Sequence, residues 1–497
     1  MLLSGGGAMY SSGQIYAGEG RSCTYSMEIK PEVLHTIDRC FADFFQGSKN
    51  PGLQYAISYR GRIIHSGSLG ERSHDPALPM TRDSISRIAS MSKSFATAAV
   101  VRLRDKGMLD LDAPLSSFLP NLKLGDIFAR ASLRDLMSMR LDLPVDDPWA
   151  DRLLDASDTD LEPYFASPLI HAGLGRHRCA YSNLSYLLLG RILREVTGEP
   201  AMQYISREIL APLGLRDTVW NVSEEQSMRM ARGYRVDSAV RTEERHFICQ
   251  SDGVVFGGLW STVDDLAVWL DFLRGDSSSP AAWDEILPKS SRQELWEPRC
   301  SYPAGLVDSL TSGQKLSVTA NYGFGLVAHN IQGVDYVGHS GGLPGYGSHM
   351  RVHTASGFGI MALGNGTYCQ AASPCASALH HLVVSLGMPF VSHFSGVFEV
   401  GRKLADFVLS REANGSPELF TYNVWQDMLP DIFADTRKKV FEALGGEVTV
   451  HSIAPISGYQ GEVVFSGGGS TRKLSFTVAP HLPVRVQSLE WAEEQSK

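Results

Sequence analysis

Two blocks of strand-like alternation stand far apart in this chain, and any fold must bring them together. The first spans residues 53–59 and 63–68 around Arg60-Gly61-Arg62, the pattern of an antiparallel hairpin with a glycine turn. The second comes much later, at residues 322–329, 334–339, 348–353 and 359–364. A long helical pattern over 90–205 separates them, broken by a Pro- and Asp-rich stretch at 143–160. Pro31 opens an amphipathic run (Val33, Leu34, Ile37, Phe41, Phe44, Phe45) that stops near Gly47, and another helical run covers 371–386. A sheet assembled from early and late segments, with helices packed on it, predicts an α+β fold.

A chain of 497 residues exceeds the size at which one hydrophobic core usually stops growing. The texture changes from Met388, where a Pro/Phe/Ser-rich connector leads to helical patterns at 398–411 and 428–444. Strand patterns follow at 448–451, 461–465 and 473–478, separated by Ser466-Gly-Gly-Gly-Ser470. The organisation expected is a flexible leader at 1–26, a main domain at 27–390 and a small α+β domain at 391–497, without internal repeats.

A formal net charge of -9 and the lack of any Lys/Arg-rich run argue against a nucleic-acid partner. The first twenty residues carry no basic n-region and no long apolar stretch, so neither a secretory signal nor a membrane span is expected there. The seven cysteines are odd in number and lack C-x-x-C pairs, which fits reduced thiols in a cytoplasmic protein. His380-His381 and the other histidines have no acidic or cysteine companions at ligand spacing, so no metal or cofactor is expected.

Ser-x-x-Lys occurs three times, at Ser90-Met-Ser-Lys93, Ser312-Gly-Gln-Lys315 and Ser470-Thr-Arg-Lys473. The bare pattern usually marks a cap beside a solvated lysine, and context must separate the copies. Ser312 and Ser470 sit beside glycines in loop-like stretches, whereas Ser90 leads into Phe95, Ala98, Ala99, Val101 and Leu103. A serine at a buried helix start meets exposed N–H groups and the positive end of the macrodipole, both favourable to an oxyanion. Lys93, one turn on, can reach the Ser90 hydroxyl, and burial would disfavour its ammonium form and let it act as a base.

Tyr181-Ser-Asn183 is the chain's single Tyr-x-Asn and precedes a helical run over 184–196. A phenol beside a lysine can relay a proton, and an asparagine amide can bind a substrate carbonyl. By itself Tyr181 reads more readily as a core tyrosine with a satisfied hydroxyl. Gly338-His339-Ser340-Gly341-Gly342 lies on a late strand pattern, where glycines are costly unless another backbone comes close. A substrate along the strand edge would be such a backbone, with His339 pointing into the same cleft.

The order Ser-x-x-Lys, Tyr-x-Asn, His-x-Gly resembles the serine β-lactamase and penicillin-binding-protein superfamily, in the branch with class C β-lactamases, D-aminopeptidases and esterases. Ile209-Leu-Ala-Pro-Leu-Gly-Leu215 and Gly257-Gly-Leu-Trp-Ser-Thr262 are similar to phrases of that branch, and the resemblance covers residues 29–388. It implies a β-lactamase-like fold and an acyl-enzyme on Ser90, with Lys93 and Tyr181 moving protons. It further implies substrate contacts from Asn183, Ser340, Gly341 and Gly342, with the N–H groups of Ser90 and Gly342 as oxyanion hole. His339 stands where β-lactamases of the branch usually carry lysine, so it could donate a hydrogen bond to substrate without an assured charge. Residues 136–144 occupy the place of a His-x-Ser-Gly-Leu-Pro phrase and depart from it. The activity expected is hydrolysis of small amide, peptide or ester substrates. The alternatives are a penicillin-binding module, a weak β-lactamase, or an acyltransferase or peptide cyclase. Oligomeric state is left open.

Overall fold

Pro31 in the first turn starts α1 (Pro31–Gly47), which buries Ile37 and Phe41. The early hairpin follows as β1 (Gly52–Tyr59) and β2 (Arg62–His74), and Arg60 and Gly61 turn the chain at φ 48° and 73°. Both residues are left-handed, which is what a two-residue hairpin turn matching strand twist requires. The computed structural model describes residues 29–492 apart from 147–148, 167–170, 175–177, 238–239, 245–246, 277–278, 388–394, 411–417, 428, 456–458 and 480–482. The leader expected at 1–26 and the boundary expected near 390 lie outside the described residues.

After β3 (Ala77–Pro79), the elements that matter for the site are α2 (Ser92–Asp105), α3 (Asn183–Thr197) and α4 (Val263–Arg274). The late strands are β4 (Cys300–Ser301), β5 (Leu306–Asp308), β6 (Lys315–Tyr322), β7 (Val327–Ile331), β8 (Val334–Leu343), β9 (Tyr346–His353) and β10 (Phe358–Gly364), followed by α5 (Ala372–Ser385). They form one sheet in the order β3-β2-β1-β10-β9-β8-β7-β6-β4, with β5 also on β6, and every pairing is antiparallel. The hairpin joins the last strand in register from Leu53↔Gly364 to Tyr59↔Phe358, which closes the sheet across most of the domain.

The strand expected at 322–329 is a correction, because β6 ends at Tyr322 and β7 begins at Val327. The chain reverses through Gly323-Phe324-Gly325, with Gly325 at φ 68°, and its apolar alternation continues through the reversal because Phe324 and Leu326 are buried there. A Cβ at Gly325 would stand 2.7 Å from the Lys93 carbonyl, so this turn is pressed against α2.

The sheet has two buried faces. Val337, Met350, Val352 and Met361 pack with α2, α3 and α4, while Tyr336, Ile360 and Ala362 pack with α1 and α5. Adjacent strand residues point to opposite faces, and this alternation assigns each side chain of the glycine-rich segment to one side. Farther along, α6 (Ser395–Ser410) and α7 (Pro430–Leu444) pack on a four-stranded antiparallel sheet of β11 (Thr449–Pro455), β12 (Gln460–Gly467), β13 (Ser470–Val478) and β14 (Val486–Trp491). Their own apolar cluster includes Leu404, Val408, Phe433, Val463, Phe465 and Leu474. No helix among the described residues is long and apolar enough to cross a membrane.

Candidate active site

The segment before Ser90 is held by backbone pairing. Ser86–Arg87 pairs antiparallel with Trp260–Ser261, and the Ile88 N–H donates to the Leu259 carbonyl at 3.0 Å. Arg87 is buried, donates to the carbonyls of Gly258 and Phe247, and stacks its guanidinium over the Trp260 ring at 4.6 Å. Ala89 then adopts φ 49°, a left-handed conformation that costs a non-glycine residue about 1–2 kcal/mol. The surroundings hold it there, with the Ser348 hydroxyl donating to the Ile88 carbonyl at 2.8 Å. Ser90 lies in the single tight turn Ala89–Met91, just ahead of α2 rather than within it.

Lys93, in the first turn of α2, is wholly buried. Its Nζ lies 2.9 Å from Ser90 Oγ, 2.7 Å from Asn183 Oδ1 and 2.9 Å from the Phe256 carbonyl. An ammonium has three N–H donors, and three acceptors surround this one. The rings of Tyr181, Phe256 and Tyr186 stand 5.0, 5.4 and 5.5 Å from Nζ, close enough for cation–π attraction to offset part of the desolvation.

Asn183 opens α3 and is completely buried. Its Oδ1 accepts from Lys93 while its Nδ2 donates to Asp151 Oδ1 at 3.2 Å, an arrangement that determines the amide's orientation. The buried Asp151 also accepts from the Tyr368 hydroxyl at 2.8 Å, so an unbroken polar chain runs Ser90–Lys93–Asn183–Asp151–Tyr368. Both ends of the Asn183 amide therefore find partners within the protein. The cause is its position at a helix start beneath Lys93.

Asp146 performs the capping that Ser182 does not. Its carboxylate accepts from the N–H groups of Asn183 and Leu184 at 2.8 and 3.0 Å and from the Ser182 hydroxyl at 2.7 Å. A carboxylate at a helix N-terminus satisfies orphan donors and complements the dipole. Asp146→Ala is therefore expected to destabilise the protein by about 1–2 kcal/mol in urea titration. It should also lower kcat more than it raises KM, because it loosens the segment that carries Tyr181 and Asn183.

Tyr181 stands on the loop entering α3, with ring centroids of Tyr322, His339 and Tyr302 at 6.1, 6.2 and 6.4 Å. The loop is held by Ala180 N–H donating to the Met139 carbonyl at 3.0 Å and by Cys179 N–H donating to the Ser301 carbonyl at 2.8 Å. Met139, within the segment that departs from the family phrase, thus braces the backbone next to Tyr181. Asp142, the residue before Leu143-Pro144, takes φ 58° at the point where the phrase has glycine, and aspartate tolerates that region better than most side chains.

His339 is buried among these rings. Its Nδ1–H donates to the Ser340 carbonyl, which leaves Nε2 to accept from the Tyr322 hydroxyl at 3.4 Å. Burial, aided by the Lys93 charge, pushes its pKa down to about 3, so the ring is neutral at ordinary pH. The hydrogen bond to substrate expected from His339 has no free N–H in this arrangement.

The rest of the His-Ser-Gly segment divides between the faces. Ser340 turns its hydroxyl to His349 Nδ1 at 2.8 Å, on the side of the sheet away from Ser90. A Cβ at Gly341 would meet the Ile88 carbonyl at 2.3 Å and Ser348 Oγ at 2.4 Å, so the close neighbour demanded by this glycine is the turn carrying Ser90. A Cβ at Gly342 would meet the Tyr368 ring at 2.7 Å. The ladder between β7 and β8 ends at Gly338, so residues 339–343 pair with β9 alone and present an edge to the other side.

The structure gathers Ser90, Lys93, Asn183, Tyr181 and His339 around one point and turns the Ser340 hydroxyl elsewhere. Asp146, Asp151, Tyr368 and the Phe256 carbonyl belong to the constellation without having been singled out by sequence. Only Asp146 carried a signal, as an acid in the Pro/Asp-rich stretch ahead of a helix whose own Ser182 could have capped it.

The Beta-lactamase family model matches residues 37–381. Penicillin-binding protein 4* of Bacillus subtilis is 26% identical over 306 residues, which is 58% of this chain and 62% of that protein. D-alanyl-D-alanine-carboxypeptidase/endopeptidase AmpH of Escherichia coli K12 is 27% identical over 248 residues, covering 48% of this chain and 62% of that protein. The matches therefore span less than two thirds of these relatives' length. Among solved structures, the octameric penicillin-binding protein homologue from Pyrococcus abyssi superposes with a TM-score of 0.59 at 20% identity, over 91% of this chain and 93% of its own. The class C beta lactamase from Rhodobacter sphaeroides superposes with a TM-score of 0.56 at 20% identity, over 71% of this chain and 99% of its own. Both share the fold.

Proposed function

Because the chain belongs to the beta-lactamase family, we propose that it is an acyl-serine hydrolase of small amide or ester substrates, of the D-aminopeptidase and esterase kind. The observation that carries the reading is the wholly buried Lys93, with Nζ 2.9 Å from Ser90 Oγ. Burying an amine among rings is costly unless it is used, and a serine hydroxyl at hydrogen-bond distance is what a general base needs. Lys93 as free amine takes the Ser90 proton while Oγ attacks the substrate carbonyl. The N–H groups of Ser90 and Gly342 receive the developing oxyanion, where loss of one donor typically costs about 10²–10³ in rate. The proton passes through Lys93 and Tyr181 to the leaving group, and water then releases the acyl group along the reverse path.

The substrate class is read from His339. A neutral imidazole tied to the Ser340 carbonyl and to Tyr322 offers no cation where β-lactamases of the branch have lysine. A substrate carboxylate beside the scissile bond would lack a charge partner there. Uncharged esters and aminoacyl amides fit better, entering along the open edge at residues 339–343.

A fluorophosphonate probe is expected to label Ser90 covalently, and Ser90→Ala should lose both labelling and turnover of p-nitrophenyl esters or D-aminoacyl anilides, with nitrocefin turned over poorly. Wild-type turnover by Ser90→Ala would refute the mechanism. Stoichiometric acylation without product release would point instead to a penicillin-binding module. Capture of the acyl group by added amines would point to an acyltransferase.

A further inference from the structure

The face of the sheet away from Ser90 carries a second polar cluster that acyl chemistry does not use. Arg351 on β9 is buried, and its Nε and Nη1 have no hydrogen-bond partner. Among the described residues it forms no ion pair, and the groups that act on its charge are the Cys375 thiol and the Tyr336 phenol, neither a carboxylate. Burial pushes the guanidinium down only to about 10, so it stays cationic at neutral pH. His349, two residues along the same strand and face, is also buried, with Nδ1 bonded to Ser340 Oγ and Nε2 without a partner. Across β8, His329 on β7 has a buried Nδ1 likewise unpartnered, and it lies close enough for the Arg351 charge to act on its ring. Gly338, which pairs with Arg351 in register, places no side chain beside the guanidinium. α5 covers this part of the face, with His380 Nδ1 3.0 Å from the Tyr336 hydroxyl.

A buried charge without a counter-charge costs several kcal/mol, and buried N–H groups are nearly always satisfied. A cationic guanidinium with two unpartnered nitrogens, flanked by a histidine whose Nε2–H is free when Ser340 donates to Nδ1, gathers donors and positive charge without an acceptor among the described residues. We propose that Arg351, His349 and His329 form a binding site for a small anion, a halide or a short carboxylate, on the face of the sheet opposite Ser90. The anion accepts from Arg351 and from His349 Nε2 and supplies the missing counter-charge. The Ser340–His349 contact connects the site to the strand that carries His339 and Gly341, so an occupied site braces that strand from behind.

The test compares thermal midpoints of the full chain in sodium bromide, sodium formate and sodium gluconate at equal ionic strength, for wild type and Arg351→Met. Gluconate, a bulky polyhydroxy anion, serves as the ionic-strength control. In wild type the midpoint should rise with bromide or formate concentration as expected for a ligand that binds only the folded state, and the more effective anion identifies the class. Arg351→Met should remove that dependence. An equal response in both proteins, or none in wild type beyond that in gluconate, overturns the proposal. Should Arg351→Met fail to fold, bromide anomalous scattering from wild-type crystals decides. A bromide peak, or formate density from a formate soak, within hydrogen-bond distance of the Arg351 guanidinium supports the site, and the absence of both there refutes it.

Discussion

Lys93→Met is expected to lower kcat/KM for ester substrates by about 10³-fold, within the span of 10²–10⁴ that a positioned general acid–base contributes. Methionine nearly preserves the length and volume of the side chain but removes the basic atom that lies 2.9 Å from Ser90 Oγ. The folded state should respond far less. Two buried acceptors, Asn183 Oδ1 and the Phe256 carbonyl, lose their donor at about 1–3 kcal/mol each, while the cost of burying the amine disappears. These opposing effects should leave the thermal midpoint within a few degrees of wild type. Lys93→Arg separates charge from basicity, because a guanidinium keeps the cation and cannot take a proton. Both variants should therefore be slow, in turnover and in fluorophosphonate labelling alike. A folded Lys93→Met that acylates at the wild-type rate would show that another group deprotonates Ser90.

Gly341→Ala should cost about 10²-fold in kcat/KM together with roughly 1–3 kcal/mol of stability, the usual range for overpacking. The added methyl would have to displace the Ile88 carbonyl, the Ser348 hydroxyl or the Ala89 Cβ, the last at 2.9 Å. None of these is the loose end of a flexible side chain. Ile88 and Ala89 are the residues that aim Ser90, and Ala89 is already held left-handed at φ 49°. Relief by movement of the turn shifts the nucleophile, whereas relief by movement of β8 shifts the N–H of Gly342. Either displacement separates the attacking oxygen from the proposed oxyanion donors, and a shift of about 1 Å can cost 10²-fold. Steady-state kinetics and urea unfolding on the same preparation measure both effects. Wild-type kinetics in this variant would mean that strand and turn are not in mutual register, and the close packing would then lose its role in positioning Ser90.

Local chemistry was readable in the chain because its causes are local. The turn at Arg60-Gly61, the helix opened by Pro31 and the split of strands into an early and a late block all follow from period, glycine and proline. The choice of Ser90-Met-Ser-Lys93 over the two other Ser-x-x-Lys copies followed from a buried helix on one side and glycine-rich loops on the others. Ser312 indeed lies in an exposed turn, whereas Ser470 opens β13 rather than a loop and Lys473 pairs with Glu462 at 2.8 Å across the C-terminal sheet. The break of 322–329 into two strands leaves no mark in the hydrophobic pattern, because Phe324 and Leu326 keep the apolar alternation going through a reversal.

The sequence by itself determined the early hairpin, the helix opened by Pro31 and the need for distant strands to share one sheet, and it singled out Ser90 and Lys93 among the Ser-x-x-Lys copies. Only the tertiary structure decided where each polar group of the constellation finds its partner. It joined Asp151 to Tyr368, turned Asn183 inward to Lys93, neutralised His339 among tyrosines and put Ser340 and Arg351 on the far face. Secondary structure depends on periods of a few residues, whereas a buried hydrogen bond depends on which atoms meet after the sheet has closed, and no spacing along the chain encodes that meeting.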